Sequence, residues 1–274
     1  MIKRILNFLK RNSSSLCGKK TIPHKVNLEW WSRKDNVGDH LAVVIYDWIT
    51  DYYNLDVNAQ TSKTHHLLTV GSLIGMEYFD ATIWGSGVHC LSTIRQIGNQ
   101  SAYRKYDIRA VRGPLTRAFL IEGGYECPEI YGDPAILMPL IYSPENTEKK
   151  YDVSVIRHLS KRDAPKKDGI HYIDIQTKDH TSVINEICSS KRIISSSLHG
   201  IILAETYGVS AVFLNDGMDK ELYKFLDWYY STNRYAVVIA NNLEEAENIQ
   251  PMPLPELQAM QKGLLNSFPV DLWK

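Results

Sequence analysis

Short apolar runs alternate with longer amphipathic segments along most of the chain. The short runs predict strands at residues 26–30, 65–70, 81–87 and 106–113, and again at 151–158, 170–175, 191–197 and 210–214. The longer segments predict helices at residues 41–53, 114–125, 181–190 and 198–208. Strands interleaved with helices in this way are typical of parallel sheets that are covered on both faces. The pattern therefore predicts an α/β protein with two Rossmann-like domains facing a cleft.

A polar stretch at residues 142–150 interrupts the alternation and predicts a domain boundary. The chain has 274 residues, which suits two domains of about 100–150 residues each. We therefore predict a first domain over residues 26–142 and a second over residues 150–250. The remainder, residues 251–274, predicts a C-terminal helical tail that could pack back on the first domain.

Residues 1–25 predict a basic amphipathic helix followed by a linker. Its apolar run is too broken for a secretory signal. Two interpretations remain open for residues 1–11: an interfacial helix on an anionic membrane surface, or a first helix packed on the body of the protein.

The overall charge is balanced, because 31 Lys and Arg residues face 31 Asp and Glu residues. This balance argues against a dedicated nucleic-acid binder, whose affinity rests on clustered positive charge. The four cysteines are scattered, which favours a reducing compartment and predicts a cytoplasmic protein. The histidines show no metal-ligand spacing, so no metal is expected.

In open parallel sheets, ligands bind beyond the carboxyl ends of the strands, where loops and helix N-termini converge. In the first half this rule selects the loop residues Asn36, Gly38, Asp39, Gly85, Ser86, Gly87, Arg112 and Asp133. The glycines would let backbone N–H groups approach a ligand closely. Asp39 either serves the site or caps the helix after it, and Asp133 either serves the site or forms a turn. Arg112 suits bidentate binding of phosphate or carboxylate, with a surface salt bridge as the alternative.

In the second half the strongest feature is a serine-rich strand end that leads into a helix. Ser195, Ser196 and Ser197 precede His199 and Gly200, so capping hydroxyls and free N–H groups predict an anion site. His199 in the first turn could act as general acid or base, or could be a buried packing residue. Two further cation-forming residues, Arg157 and His158, end another strand of the same half and favour the anion site.

The ordered motifs NVGD, GSG, VRGPLTR, YGDPAILMP, IRH and SSSLHGIILAETYGV resemble the polysaccharide pyruvyl transferase family over roughly residues 28–215. The resemblance implies a glycosyltransferase-B-like fold and transfer of pyruvate from phosphoenolpyruvate, without a cofactor. Two hydroxyls of one sugar in a capsule or exopolysaccharide precursor would form a cyclic ketal, with release of phosphate. It also implies a lipid-linked oligosaccharide as the acceptor, met at the inner membrane face.

The resemblance assigns roles to residues. Arg112 and His199 match donor-site positions of the family, whereas Ser197 stands where the family has an arginine. We hypothesise that Arg157 supplies the missing charge. His199 would then be the general acid or base, with His158 as an alternative proton donor and Asp39 orienting the acceptor hydroxyl.

Two other classes of function stay open. A glycosyltransferase with a nucleotide-sugar donor would share the two-domain architecture, since a fold does not determine a function. A non-catalytic protein that binds glycans or partner proteins is the second alternative. The aromatic residues Trp30, Trp31, Trp84 and Trp228 could form a sugar-stacking platform or belong to the core.

Overall fold

A computed structural model describes residues 17–19, 24–61, 63–76, 80–90, 104–145 and 147–274. It contains two five-stranded sheets with helices between the strands, which confirms the predicted α/β class. The amphipathic helix predicted at residues 1–11 lies outside the described residues. In the part of the chain that is described, no helix is both long and apolar enough to cross a bilayer.

The first sheet is built from strands that lie side by side in chain order. Its members are β1 (Cys17–Lys19), β2 (Val26–Trp31), β3 (His65–Leu68), β4 (Ala81–Trp84) and β5 (Tyr106–Ala110). Strand β1 pairs antiparallel with β2, and the other neighbours pair in parallel. The carboxyl ends of β2 to β5 therefore share one edge.

The second sheet is parallel throughout and its strand order reverses once. Its members are β6 (Ser154–Ile156), β7 (His171–Tyr172), β8 (Arg192–Ser195), β9 (Ser210–Leu214) and β10 (Ile239–Ala240). Their spatial order is β10-β9-β8-β6-β7, so the chain leaves β6 for β7 and returns to pair β8 on the other side. Such a reversal opens a crevice at the carboxyl ends of β6 and β8, where ligands usually bind.

Seven α-helices lie within the described residues. They are α1 (Val37–Tyr52), α2 (Pro114–Glu122), α3 (His180–Cys188), α4 (Leu198–Thr206), α5 (Leu222–Ser231), α6 (Leu243–Asn248) and α7 (Gln258–Ser267). Helix α1 begins four residues earlier than its apolar pattern predicts, because the Asn36 side chain accepts a hydrogen bond from the Gly38 N–H at 2.8 Å and caps the first turn. This earlier start places the first turn of α1 at the edge where the strands end.

Helix α5 and the strand after it were absent from the sequence prediction. The segment nevertheless carries a helical signal, because Leu222, Phe225 and Trp228 recur at intervals of three residues. Phe225 and Trp228 are fully buried, and α5 packs against α2 of the first half. The second half therefore contacts the first half through α5.

One apolar core joins the two halves. The 3₁₀ helix Pro134–Leu140 packs between α1 and α4, and its Ile136 belongs to the same buried cluster as Ile45 and Ile201. The C-terminal segment lies against the first sheet, where the indole N–H of Trp84 donates to the Leu264 carbonyl at 2.9 Å. The predicted boundary at residues 142–150 stays a prediction.

A buried ion pair also connects the halves. Arg112 follows β5 and donates through Nε to Asp227 Oδ2 on α5 at 3.0 Å, and both side chains are fully buried. Asp227 accepts two further hydrogen bonds from Thr116, one from its backbone N–H at 3.0 Å and one from its hydroxyl at 2.6 Å. Two desolvated charges are tolerated here because nearby donors and acceptors satisfy both groups.

We predict that Asp227→Ala lowers the free energy of unfolding by about 3–5 kcal/mol, because it leaves a buried, unpaired guanidinium. Urea denaturation followed by circular dichroism measures the change. The control Asp152→Ala removes an exposed pair with Lys191 and should leave the midpoint nearly unchanged. Equal effects of the two substitutions would contradict a structural role for the buried pair.

Candidate active site

A cavity of about 230 Å³ lies between the two halves, at the edge where the strands of both sheets end. It is lined by Trp31, Asn36, Asp39, Gly71, Ser72, Leu73, Met76, His89, His158, Leu159, Ser197, Leu198, His199 and Lys224. We call this space the cleft cavity.

Two helix N-termini meet at the cleft cavity. Helix α1 enters from the first half, and its Val37 N–H donates to the Ile175 carbonyl of the second half at 2.9 Å. Helix α4 enters from the second half behind Ser197. Gly38 lies so close to His199 that a side-chain carbon at Gly38 would overlap the imidazole ring. The positive ends of both helix dipoles therefore lie near the same small space, which favours a bound anion.

His199 faces a buried carboxylate. Its Nε2 lies 3.6 Å from Asp133 Oδ2, and neither atom has a hydrogen-bond partner among the described residues. The other carboxylate oxygen of Asp133 accepts from the Ala135 N–H at 3.0 Å and caps the 3₁₀ helix. The two side chains are therefore neighbours without a hydrogen bond, and a histidine beside a carboxylate is an arrangement used in acid–base catalysis.

Asp39 stands on the wall of the cleft cavity next to charged groups of the second half. Burial raises the pKa of Asp39 to about 6, against opposing effects of His199 and Lys224, while Asp133 adds to the rise. A carboxyl with a pKa this close to neutrality can both accept and return a proton under physiological conditions.

A cluster of basic groups surrounds Glu221 on the far wall. Lys224 is 7% exposed and contacts the Glu221 carboxylate, and Nε2 of both His89 and His158 lies 3.8 Å from that carboxylate. Burial lowers the pKa of Lys224, and the charge of Glu221 opposes this change. Burial also lowers the pKa of His158, assisted by the positive charge of Lys224. An anionic ligand would favour the charged forms of Lys224 and His158.

A known family matches the part of the chain that supplies His158, Ser197 and His199 to this site. Residues 100–217 match the family model described as polysaccharide pyruvyl transferase. The resemblance to the polysaccharide pyruvyl transferase family is confirmed. The prediction of an enzyme of this class is confirmed with it. The matched residues include Asp133, His158 and His199, whereas Asp39 and Lys224 lie outside them.

Two relatives extend the similarity beyond the family match. The uncharacterized protein L143 of Acanthamoeba polyphaga mimivirus is 28% identical over 239 residues, which cover 80% of this chain and 81% of the relative. The succinoglycan biosynthesis protein ExoV of Rhizobium meliloti (strain 1021) is 27% identical over 212 residues, which cover 73% of this chain and 62% of that relative. The second relative connects the pyruvyl transferase match with polysaccharide biosynthesis.

The structure brings five of the predicted site residues together. Asn36, Asp39, His158, Ser197 and His199 line the cleft cavity, although they come from three separate loops. Gly38 and Asp133 lie directly behind the wall and contact or face His199. The other predicted residues are not among the described residues that line this cavity.

The structure corrects the prediction for Arg112. Its side chain is fully buried, and besides the bond to Asp227 it donates to Ser72 Oγ and to the Val88 carbonyl, each at 2.7 Å. It therefore acts as a positioning residue, since it holds the loop that carries Ser72 into the cavity wall. An arginine at a strand end suggests a ligand contact, but here a distant aspartate supplies its partner.

The predicted backbone approach at Gly85, Ser86 and Gly87 is also corrected. A side-chain carbon at Gly85 would overlap Pro134, and one at Gly87 would overlap the guanidinium of Arg112. Ser86 is buried, and its hydroxyl donates to the Gly71 carbonyl at 2.8 Å. Close packing within the protein therefore accounts for these glycines.

The serine-rich strand end supports the helix by a different route from the predicted one. Ser195 Oγ accepts from the Ser197 N–H at 3.0 Å, whereas the Ser197 side chain makes no capping hydrogen bond. Ser196 Oγ accepts from the His158 N–H at 3.0 Å and so links two neighbouring strand ends. Gly200 allows the helix to pack on Ser195 and Ile156. Ser195, Ser196 and Gly200 thus position the wall that Ser197 and His199 form.

The hypothesis that Arg157 replaces the family arginine at position 197 is wrong in this structure. Successive side chains at a strand end point to opposite faces, so His158 enters the cleft cavity while Arg157 enters a separate one. The cation that the structure offers instead is Lys224, which the sequence analysis missed together with His89. The helical spacing of residues 222–228 was the available signal for the element that carries Lys224.

The tryptophans separate into two groups. Trp84 and Trp228 are fully buried in the core, whereas Trp31 lines the cleft cavity and is the one of the four predicted platform residues that does.

Among the described residues, no three His, Cys, Asp or Glu side chains come together as metal ligands.

We predict that Asp39→Asn changes the pH dependence of stability. Because the pKa of Asp39 is raised from 3.8 to about 6 in the folded protein, its favourable contribution is complete below pH 4 and is lost as the pH rises through 6. Relative to Asp39→Asn, the wild type should lose about 2–3 kcal/mol of unfolding free energy between pH 4 and pH 7. Urea titrations at several pH values measure the difference.

The control for this measurement is Asp152→Asn, because the hydrogen bond from Lys191 lowers the pKa of the exposed Asp152. The difference in unfolding free energy between the wild type and Asp152→Asn should change with pH in the opposite direction. A difference between wild type and Asp39→Asn that stays constant from pH 4 to pH 7 would contradict the raised pKa.

Proposed function

We propose that the protein transfers the pyruvyl group of phosphoenolpyruvate to two hydroxyls of one sugar in a surface or capsular polysaccharide precursor. A cyclic ketal forms and phosphate is released. The observation that carries this proposal is the convergence of Lys224, His158 and His199 with two helix N-termini on one cavity at the edge of both sheets. Phosphoenolpyruvate carries a phosphate and a carboxylate. Basic side chains and helix N-termini are the groups suited to bind both anions.

In the proposed binding mode, Lys224 and His158 bind the phosphate and the N-terminus of α4 faces the carboxylate. Lys224 is buried and therefore acts in a medium of low polarity, where its attraction for an anion is stronger than in water. Glu221 holds Lys224 and the two histidines together before the ligand arrives. The negative charge of Glu221 also limits the repulsion among these basic groups.

In the proposed chemistry, the first acceptor hydroxyl attacks carbon 2 of phosphoenolpyruvate while a proton adds to carbon 3. His199, which lies beside the Asp133 carboxylate, supplies this proton. Asp39, with a pKa near 6, accepts the hydroxyl proton. The bond from carbon 2 to the phosphate oxygen then breaks and phosphate leaves with the electron pair. The second hydroxyl adds to carbon 2, loses its proton and closes the ketal ring.

The proposal also covers the arrangement of the two domains and the nature of the acceptor. The two sheets would form the cores of two Rossmann-like domains arranged as in glycosyltransferase-B enzymes, which the reversal of strand order in the second sheet supports. Trp31 would stack against the acceptor sugar. A lipid-linked acceptor would be met at the inner membrane face.

Isothermal titration calorimetry with phosphoenolpyruvate tests the donor. We expect the wild type to bind it and Lys224→Gln to bind it about tenfold or more weakly, because a buried charge-assisted contact is lost. The control Lys191→Gln removes the same charge from an exposed pair and should leave the affinity unchanged. Binding of UDP without binding of phosphoenolpyruvate would instead support a nucleotide-sugar glycosyltransferase.

The role of His199 is tested by His199→Asn with phosphoenolpyruvate and an isolated saccharide precursor. Release of phosphate should fall about 10²–10⁴-fold while the affinity for phosphoenolpyruvate changes little, because the substitution removes a proton donor and keeps the size of the side chain. A loss of affinity without a loss of turnover would assign His199 to binding and refute the proton transfer.

A further inference from the structure

A second cavity, of about 520 Å³, opens beside the carboxyl ends of β6 and β7. Leu159, Ala164 and Pro165 supply the apolar part of its wall, and Arg157 and Lys166 supply positive charge. Leu159 lines both this cavity and the cleft cavity, so the two spaces adjoin across one side chain. We call this second space the strand-end cavity.

Arg157 is only partly satisfied within the strand-end cavity. Its Nη2 donates to the Pro165 carbonyl at 3.0 Å. Its Nε and Nη1 are shielded from solvent and have no hydrogen-bond partner among the described residues. The guanidinium carbon lies 5.5 Å from the centre of the Tyr172 ring, which supports the cation on one side. Shielded N–H groups of a cation without acceptors are unfavourable, so the Arg157 guanidinium is stabilised if it turns toward an oxygen acceptor bound in the cavity.

The charges around Arg157 leave an excess of positive potential. Arg162 is engaged by Asp174, with Nη2 2.7 Å from Oδ2, so this pair is close to neutral. Lys166 lies 5.2 Å from the centre of the Tyr172 ring. The remaining carboxylate of the wall, Asp163, is exposed to solvent, as is Lys166, so both charges are screened and the partly buried Arg157 is left as the main source of positive potential. A guanidinium fork beside a lysine is a donor set suited to phosphate oxygens.

We infer that the strand-end cavity binds a phosphate or diphosphate group carried by the saccharide acceptor. This inference rests on the proposed function for the acceptor, and the anion site itself rests on Arg157. Because Leu159 separates the two cavities, an acceptor anchored here by its anionic end lies next to the donor in the cleft cavity. The apolar wall accepts the group attached to the phosphate, whether a lipid or a nucleoside.

Calorimetric titration with inorganic pyrophosphate is the first test. The wild type should bind pyrophosphate, and Arg157→Gln should bind it about tenfold or more weakly. Arg157→Lys should fall between them, because it keeps the charge and loses the fork. The control Lys191→Gln has the same change of charge at a distant exposed pair and should bind like the wild type.

The same variants separate this site from the donor site. Affinity for phosphoenolpyruvate should be unchanged in Arg157→Gln, whose side chain does not line the cleft cavity, and pyrophosphate should still bind the wild type when saturating phosphoenolpyruvate occupies the cleft cavity. Farnesyl diphosphate and UDP, titrated separately, distinguish a lipid from a nucleoside as the carrier of the diphosphate.

Two results would overturn the inference: no binding of pyrophosphate by the wild type, or equal binding by the wild type and Arg157→Gln. Failure of the proposed function gives a different pattern. In that case phosphoenolpyruvate does not bind the wild type, while pyrophosphate binding still depends on Arg157, so the anion site stands and its link to a pyruvyl acceptor is lost.

Discussion

The buried ion pair between Arg112 and Asp227 determines how the two halves meet. Two desolvated charges are stable only in contact, because separating them would leave each without a counter-charge in a medium of low polarity. This requirement holds α5 of the second half against the loop after β5 of the first half. Lys224 lies one helical turn before Asp227 and is carried into the cleft cavity by the same contact. A structural pair thus positions a proposed ligand-binding cation.

The cleft cavity holds opposite charges at close range without neutralising them completely. Glu221 contacts Lys224 and lies near His89 and His158, whereas Asp39 on the other wall has a pKa of about 6. Burial penalises every charged form in this space, so the protonation states depend on what is bound. A strongly anionic ligand would stabilise the protonated forms of Lys224 and His158.

One strand end serves two cavities. His158 enters the cleft cavity and the preceding Arg157 enters the strand-end cavity, because successive side chains of an extended chain point to opposite faces. Leu159, which lines both spaces, separates them by the width of one side chain. This arrangement gives donor and acceptor groups adjacent but distinct surroundings, and it follows from the reversal of strand order between β6 and β8.

The alternation of apolar and polar positions predicts the α/β class and the order of most elements, because strand and helix periods are local properties. The rule that ligands bind beyond strand ends also predicts one edge for His158, His199 and Asp39, but the contacts among them depend on the fold. Which space each cationic side chain faces depends on contacts between residues that are distant in sequence. Arg112 turned inward because Asp227, distant in sequence, supplies its partner, and Lys224 entered the site on a helix whose position depends on that pair. Local pattern shows where a charge lies along the chain, whereas the partner that compensates its desolvation decides which space it faces.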